Sequence, residues 1–185
     1  MLLGLVGALT VAHLMGYGQA FPTLADFLAG RDSAPAQKAD TITGFASVID
    51  GDTLEIHGQR IRLHGIDAPE SAQRCKDGQG REYRCGQQAA LALADRIGRQ
   101  PVSCEKRDID RYKRIVAVCR LGVEDLNAWL VSQGAAMAYR QYSRDYVSQE
   151  DQARAAKRGI WRGEFTEPWD WRRGNYPVDV PYPNR

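Results

Sequence analysis

The most restrictive feature of this sequence is a set of three short runs of alternating or β-branched residues, separated by breaks too short to hold a helix. The runs cover residues 42–49, 54–57 and 60–66, and the breaks are Asp50-Gly51-Asp52 and Gly58-Gln59. Gly-containing breaks of two or three residues typically join antiparallel neighbours. The segment therefore predicts a three-stranded meander.

The rest of the folded unit combines helices with one further hairpin. Residues 86–97 place apolar side chains at helical spacing, and Gly98 follows as a stop signal. Residues 101–106 and 114–121 predict the hairpin. Two later helices are predicted, one around Leu126, Trp129 and Leu130 that stops at Gly134, and one over 146–158 that stops at Gly159.

Five short strands bury their inner faces best by closing on themselves. The predicted fold is therefore mainly β with α (α+β), a five-stranded barrel with three helices. The chain of 185 residues suits one such domain with appendages. We expect an export segment over 1–20, a linker over 21–40, the folded domain over 41–173 and a Pro-containing tail over 174–185.

The first residues, MLLGLVGALTVAHLMGY, form the most apolar stretch of the chain, and Gly18-Gln19-Ala20 supplies small residues suited to signal peptidase. A cleaved signal peptide and a periplasmic or secreted protein are favoured. No basic residue precedes the apolar stretch. An uncleaved membrane anchor, or a misassigned start codon, is the alternative.

Charge is balanced overall but uneven along the chain. The 25 Lys and Arg residues against 23 Asp and Glu leave a net charge of +2, which excludes a globally basic nucleic-acid-binding composition. Between residues 96 and 120, however, basic side chains outnumber acidic ones eight to three. An anionic ligand must therefore be bound by a local group of basic residues such as this one. The alternative for this stretch is a solvated charged face.

The four cysteines fit an oxidising compartment if the first segment is an export signal. A tetrahedral zinc site is the alternative, but there is no Cys-x-x-Cys pair and the histidines lack ligand spacing. Cys104 and Cys119 are nearly equidistant from the hairpin turn, so they are expected to face one another. We predict the disulfides Cys104–Cys119 and Cys75–Cys85, the second closing the loop before the first helix.

Several charged residues have ordinary explanations singly but converge in the predicted meander. Asp52 follows its first strand and Asp67 its third, so the two carboxylates can face one another. With a backbone carbonyl and waters they form an oxygen shell that calcium accepts. Glu70 could hold a water, and Arg62 and Arg114 could bind one phosphate through two oxygens. A metal, a base and a phosphate clamp are what phosphodiester hydrolysis requires.

Three stretches, VIDGDTLEI, IRLHGIDAPE and DRYKRIVAV, resemble the signatures of the staphylococcal nuclease (thermonuclease) family. The resemblance runs from about residue 41 to 161 and includes WLVSQGAAMAY. It implies an oligonucleotide-binding (OB) barrel with three helices. It also implies calcium-dependent hydrolysis of DNA and RNA that ignores sugar type and leaves 3'-phosphate ends. We expect a monomer with no obligate protein partner.

The resemblance also implies a role for each site residue. Asp52 and Asp67 would be metal carboxylates, with Ala68 supplying a backbone carbonyl. Glu70 would be the general base, Arg62 and Arg114 would bind the scissile phosphate, and Tyr112 and Tyr139 would contact the nucleotide. Ala68 is a departure, because the best-known family member has Thr there. The alternatives are a non-catalytic OB-fold nucleic-acid-binding module and a calcium-stabilised envelope protein.

Overall fold

The computed structural model of the protein describes residues 40–175. The predicted export segment, nearly all of the predicted linker and most of the predicted tail therefore lie outside the described residues. The strands are β1 (Thr41–Asp50), β2 (Thr53–Ile56), β3 (Gln59–Leu63), β4 (Ile66–Asp67), β5 (Cys75–Lys76), β6 (Glu82–Tyr83), β7 (Pro101–Ile109), β8 (Ile115–Leu121), β9 (Glu124–Asp125) and β10 (Met137–Ala138).

Five of these strands close into a barrel. The antiparallel order is β3-β2-β1-β7-β8, and a parallel pairing of β3 with β8, with Arg62 opposite Val116, joins the two ends. Closure removes the open edges that a five-stranded sheet would expose to water. The predicted α+β OB barrel is confirmed.

The meander is also present, with one difference at its third strand. The run 60–66 was predicted as one strand, but β3 ends at Leu63 and the chain turns through Gly65, at φ +69°. Ile66 and Asp67 then pair separately with β10. The turn breaks the strand just before Asp67, and this second pairing fixes the position of its backbone.

Within residues 40–175, four α-helices surround the barrel, one more than predicted. They are α1 (Cys85–Ile97), α2 (Leu126–Ser132), α3 (Val147–Ala155) and α4 (Pro168–Arg173), and a 3₁₀ turn covers Gly159–Arg162. The added helix is α4, which begins with proline at a position where its missing N–H costs nothing. Among residues 40–175, no helix combines the length and apolarity needed to cross a bilayer.

The core lies inside the barrel and under α1 and α2. Its fully buried side chains include Leu54, Ile61, Leu93 and Leu130. Asn127 on α2 is also completely buried, and its side chain accepts from the Cys119 N–H at 3.1 Å and donates to the His64 carbonyl at 2.9 Å. These bonds attach α2 to β8 and to the turn after β3, since a buried amide left unpaired would be costly.

Both predicted disulfides are present. Cys104 and Cys119 are directly opposite in the β7–β8 ladder, with Cα atoms 4.0 Å apart, and Cys75 is joined to Cys85 at the start of α1. The second bridge closes the loop that leads from Glu70 into α1. It therefore limits the freedom of a segment that carries a candidate site residue.

We expect the Cys104→Ala/Cys119→Ala double variant to lose about 3 kcal/mol of unfolding free energy. The bridge spans 15 residues, and removing it restores the loop entropy of the unfolded chain. Urea unfolding of the parent and the double variant, with and without dithiothreitol, measures the loss. Reductant should destabilise the parent more than the variant. Thiol titration that finds four free cysteines, or peptide mapping that finds crossed pairs, would contradict the assignment.

Candidate functional site

Two buried carboxylates lie close together beside the barrel. Asp52 lies in the turn between β1 and β2 and is 4% exposed, and Asp67 is the last residue of β4 and is fully buried. The N–H of Ala68 donates to Asp52 Oδ2 at 3.1 Å, which links the two segments. The predicted meander thus brings Asp52 and Asp67 together, as the sequence indicated.

Two glycines permit the close packing around these carboxylates. A Cβ on Gly51 would stand 2.7 Å from that of Ala68, and a Cβ on Gly86 would stand 1.8 Å from the Glu70 carbonyl oxygen. Close approach, rather than a left-handed backbone, is therefore the reason for glycine at both positions, since neither has positive φ. Because Gly86 has no side chain, the first turn of α1 can pack directly against the Glu70 loop.

Arg62 bridges the two aspartates from β3. Its Nη2 lies 2.7 Å from Asp67 Oδ1 and 3.0 Å from Asp52 Oδ2, and its Nη1 donates to Asp52 Oδ1 at 3.1 Å. Only 18% of the Arg62 side chain is exposed. The guanidinium is thus held by both carboxylates at the inner wall of the site.

Glu70 completes a three-carboxylate group with Asp52 and Asp67, which we call the acidic cluster. Its side chain is 39% exposed, so Glu70 is the member of the cluster that solvent reaches most easily. An arginine that the sequence analysis did not single out, Arg172 on α4, donates to Glu70 Oε1 at 2.7 Å. The same guanidinium donates to Asp67 Oδ1 at 3.0 Å and to Asp67 Oδ2 at 2.7 Å.

Burial and charge set the electrostatics of the acidic cluster. Burial raises the pKa of Asp52 to about 7, Arg62 acts in the opposite direction, and the charges of Asp50 and Asp67 add to the rise. For Arg172, partial burial acts to lower the pKa, but hydrogen bonds and charges from Asp67 and Glu70 outweigh it and the pKa is raised. The negative charge of the acidic cluster therefore stabilises positively charged groups beside it.

Gln73 holds the Glu70 loop in place. Its Oε1 accepts from the Glu70 N–H at 3.1 Å, and its Nε2 donates to the Thr166 carbonyl at 2.6 Å. The Gln73 side chain is completely buried, so both bonds are shielded from water. Gln73 thus ties the loop that carries Glu70 to the segment just before α4.

The acidic cluster opens into a groove of about 1280 Å³. Arg114 lines this groove, and its guanidinium donates to Asp110 at 2.7 Å. Among the described residues Arg114 contacts Asp110 and Tyr112 and makes no hydrogen bond to the acidic cluster. The structure therefore places Arg114 in the same groove as Arg62 but not on the same carboxylates.

Aromatic side chains form the rest of the groove wall. Tyr112 is 65% exposed beneath Arg111 and Arg114, with their guanidinium carbons 4.8 and 5.6 Å from its ring centre. Tyr139 stacks on Trp169 of α4, with ring centres 5.6 Å apart and planes 9° apart. Flat rings beside arginines suit nucleobases, which stack on them without base-specific contacts.

All of the predicted site residues therefore line or directly adjoin one groove. Arg172, Trp169 and Gln73 were not predicted as site residues. Trp169 and Arg172 belong to the tryptophan- and arginine-containing end of the predicted domain, which was given no role in the site. Nothing in their spacing shows that this end returns to Asp67 and Glu70.

Comparison with known proteins finds one matching family and several relatives. The family model "Staphylococcal nuclease homologue" matches residues 60–163. The succinoglycan biosynthesis protein ExoI of Rhizobium meliloti (strain 1021) is 42% identical over 132 residues, or 70% of this chain and 69% of that protein. Micrococcal nuclease of Shigella flexneri is 33% identical over 146 residues, or 69% and 78% respectively. An uncharacterized endonuclease of Haemophilus influenzae is 34% identical over 134 residues, or 68% and 70%.

Proposed function

The chain belongs to the staphylococcal nuclease family and is a hydrolytic nuclease, and we propose that it uses calcium to cleave DNA and RNA alike and leaves 3'-phosphate ends. The observation that carries this proposal is the convergence of Asp52, Asp67 and Glu70 with Arg62 at the inner end of the groove. A groove that only bound nucleic acid would gain nothing from three carboxylates that repel phosphate.

The donor set fits a hard divalent cation. Asp52 and Asp67 present carboxylate oxygens to the same Arg62 nitrogen, and calcium prefers oxygen ligands. Within residues 40–175 no group of three or more His, Cys, Asp or Glu side chains is arranged to hold a metal ion. The remaining ligands would therefore be the Ala68 carbonyl, waters and the substrate phosphate. Bound calcium would neutralise charge that develops on the phosphoryl oxygens.

The protein side chains supply the rest of the chemistry. Glu70 takes a proton from the attacking water, because it is the exposed carboxylate of the cluster. Arg62 and Arg114 donate hydrogen bonds to the phosphoryl oxygens as negative charge accumulates there. The water oxygen bonds to phosphorus as the bond to the 5'-oxygen breaks, so the phosphate stays on the 3' side and the 5'-oxygen leaves as a hydroxyl that takes a proton from solvent.

The aromatic residues account for the lack of base and sugar preference that we propose. Tyr112 offers an exposed ring face, and the stacked rings of Tyr139 and Trp169 line the same groove. Stacking of this kind accepts any base, so it holds the strand without reading sequence. We also propose that the protein acts as a monomer with no obligate protein partner.

Analysis of the cleaved ends tests the proposed bond. A 5'-labelled DNA oligonucleotide and its RNA counterpart, each treated with purified protein and calcium, should give fragments whose gel mobility changes after removal of a 3'-phosphate. Fragments that carry 3'-hydroxyl groups would contradict cleavage at the 5'-oxygen. Cleavage of only one of the two polymers would contradict the proposed indifference to sugar.

We expect Arg114→Lys to lower kcat by about 10²-fold with a modest change in KM. Lysine keeps the charge but loses the planar pair of donors, and that pair matters most as phosphoryl charge develops. Steady-state cleavage of a fluorescent oligonucleotide separates the two constants. Arg99→Lys, at an exposed position after α1, is the control. An unchanged kcat for Arg114→Lys would remove Arg114 from the phosphate clamp.

We also propose export, to the periplasm or the medium, with an uncleaved membrane anchor as the alternative. The two disulfides support an oxidising compartment. Amino-terminal sequencing of the protein from its native host should find a chain that begins just after Ala20. A chain that begins at Met1 and sediments with membranes would favour the anchor, and a cytosolic chain would overturn both.

A further inference from the structure

Arg172 contacts two carboxylates of the acidic cluster but has no role in the chemistry described above. Arg172 lies on α4, beyond the residues 60–163 that match the family model, yet it reaches Asp67 and Glu70 from more than a hundred positions along the chain. Its guanidinium makes three hydrogen bonds to these two carboxylates. It therefore occupies the part of the acidic cluster that the proposed cation also requires.

Most hydrogen-bond acceptor positions of the Asp67 carboxylate are already occupied. Oδ1 accepts from both Arg62 and Arg172, and Oδ2 accepts from Arg172. A carboxylate offers about four acceptor positions, so few remain for a metal ion. A divalent cation at Asp67 would also stand beside a fixed positive charge, which opposes its binding.

Of the two arginines that bind Asp67, Arg172 can dissociate from it more easily. Its side chain is 36% exposed, against 18% for Arg62, and it lines the open groove. Arg62 bonds Asp52 as well as Asp67 and belongs to a barrel strand. A guanidinium released from Asp67 into the groove would meet the substrate phosphate, which accepts the same paired donors.

The position of α4 does not depend on these ion pairs alone. Trp171 is 9% exposed, and Trp169 stacks on Tyr139. Gln73 binds the Thr166 carbonyl just before the helix. The helix therefore has apolar and hydrogen-bonded anchors of its own, and Arg172 can be changed with the backbone of α4 still docked.

We propose that Arg172 is the internal counter-cation of the acidic cluster, which competes with the divalent cation for Asp67 and moves to the substrate phosphate when both ligands bind. This inference rests on the proposed metal-dependent function and deepens it. Arg172 thereby sets the metal affinity of the free protein. It also makes metal binding and phosphate binding mutually favourable, because the phosphate draws the competing charge away from Asp67.

Calcium binding by calorimetry, without nucleic acid, tests the competition. Metal-free parent, Arg172→Gln and Arg173→Gln are titrated at one pH and one ionic strength. We expect Arg172→Gln to bind calcium roughly 5- to 150-fold more tightly than the parent, the usual range of coupling between sites. Arg173→Gln removes a charge from the same helix with no contact to Asp67 or Glu70, so its shift should be much smaller.

Thermal unfolding keeps the inference falsifiable if the variant is less stable. Arg172→Gln leaves Asp67 with one arginine, so its metal-free Tm should fall. Saturating calcium should then raise its Tm by more than it raises that of the parent, because tighter binding stabilises more. Arg172→Lys keeps the charge but not the paired donors. Its calcium-induced increase in Tm should therefore lie between those of the parent and Arg172→Gln. Equal calcium-induced increases would overturn the inference.

The coupling is tested with thymidine 5'-monophosphate, which has a phosphate but no phosphodiester bond to cleave. We expect the nucleotide to increase calcium affinity more in the parent than in Arg172→Gln. Equal calcium affinities of parent and Arg172→Gln would overturn the inference and leave the nuclease proposal standing. No calcium binding by either protein would overturn the metal dependence and this inference together, and a distinct cleavage assay would show which part of the function remains.

Discussion

Replacing Glu70 with glutamine is expected to lower kcat by about 10²- to 10⁴-fold, the usual contribution of a general base. Glutamine keeps the size of the side chain and an oxygen that can accept the Arg172 hydrogen bond, 2.7 Å long in the parent. It cannot take a proton from water. The substitution therefore removes the proposed chemistry and leaves the packing of the Glu70 loop unchanged.

The measurement is kcat at saturating substrate over a range of calcium concentrations. The loss in Glu70→Gln should persist at every concentration, because the missing proton acceptor is not a metal ligand. Glu164→Gln is the matched control, since that carboxylate is 82% exposed and its nearest cation is Lys76 at 3.3 Å. If Glu70→Gln cleaves at the parent rate, Glu70 is not the base.

Asp67→Asn is expected to lower kcat/KM by more than about 10²-fold, with partial recovery at high calcium. Substitution of groups that merely support metal ligands already costs 10- to 100-fold, so loss of a ligand charge should cost more. The amide nitrogen would also face guanidinium donors where Asp67 now accepts three hydrogen bonds. We expect about 3 to 5 kcal/mol less unfolding free energy in metal-free protein.

Calcium titration of activity, together with urea unfolding, separates the two effects on Asp67→Asn. Recovery of activity with added calcium marks a metal ligand, whereas a purely structural role would leave activity low at every concentration. Asp95→Asn, on the exposed side of α1, serves as the control. A parent-like calcium dependence in Asp67→Asn would exclude Asp67 from the metal site.

The barrel was predictable because its signals are local. The breaks at Gly51 and Gly58, and the equal spacing of Cys104 and Cys119 about one turn, fix neighbouring strands before any long-range contact is known. The convergence of Asp52 with Asp67 follows from that meander. That the strands close into a barrel followed from the need to bury short strands, but the parallel pairing of β3 with β8 that closes it was not predicted.

The other parts of the fold and the site could not be predicted, because they depend on contacts between residues far apart in the sequence. Arg172 meets Asp67 across 105 positions, and Gln73 meets Thr166 across 93. Helix α4 has only six residues, too few to show helical periodicity, so the sequence did not predict it. The buried Asn127 likewise has no signal along the chain, because its three partners belong to other segments.

Cleavage of supercoiled plasmid and of RNA by the purified full chain tests the central claim most directly. Calcium is added first and a chelator afterwards, with Glu70→Gln assayed in parallel. The account predicts that the parent cuts both polymers with calcium and stops when the chelator is added, while Glu70→Gln binds both and cuts neither at a comparable rate. Cutting that continues in chelator, or binding by the parent without cutting, would contradict it.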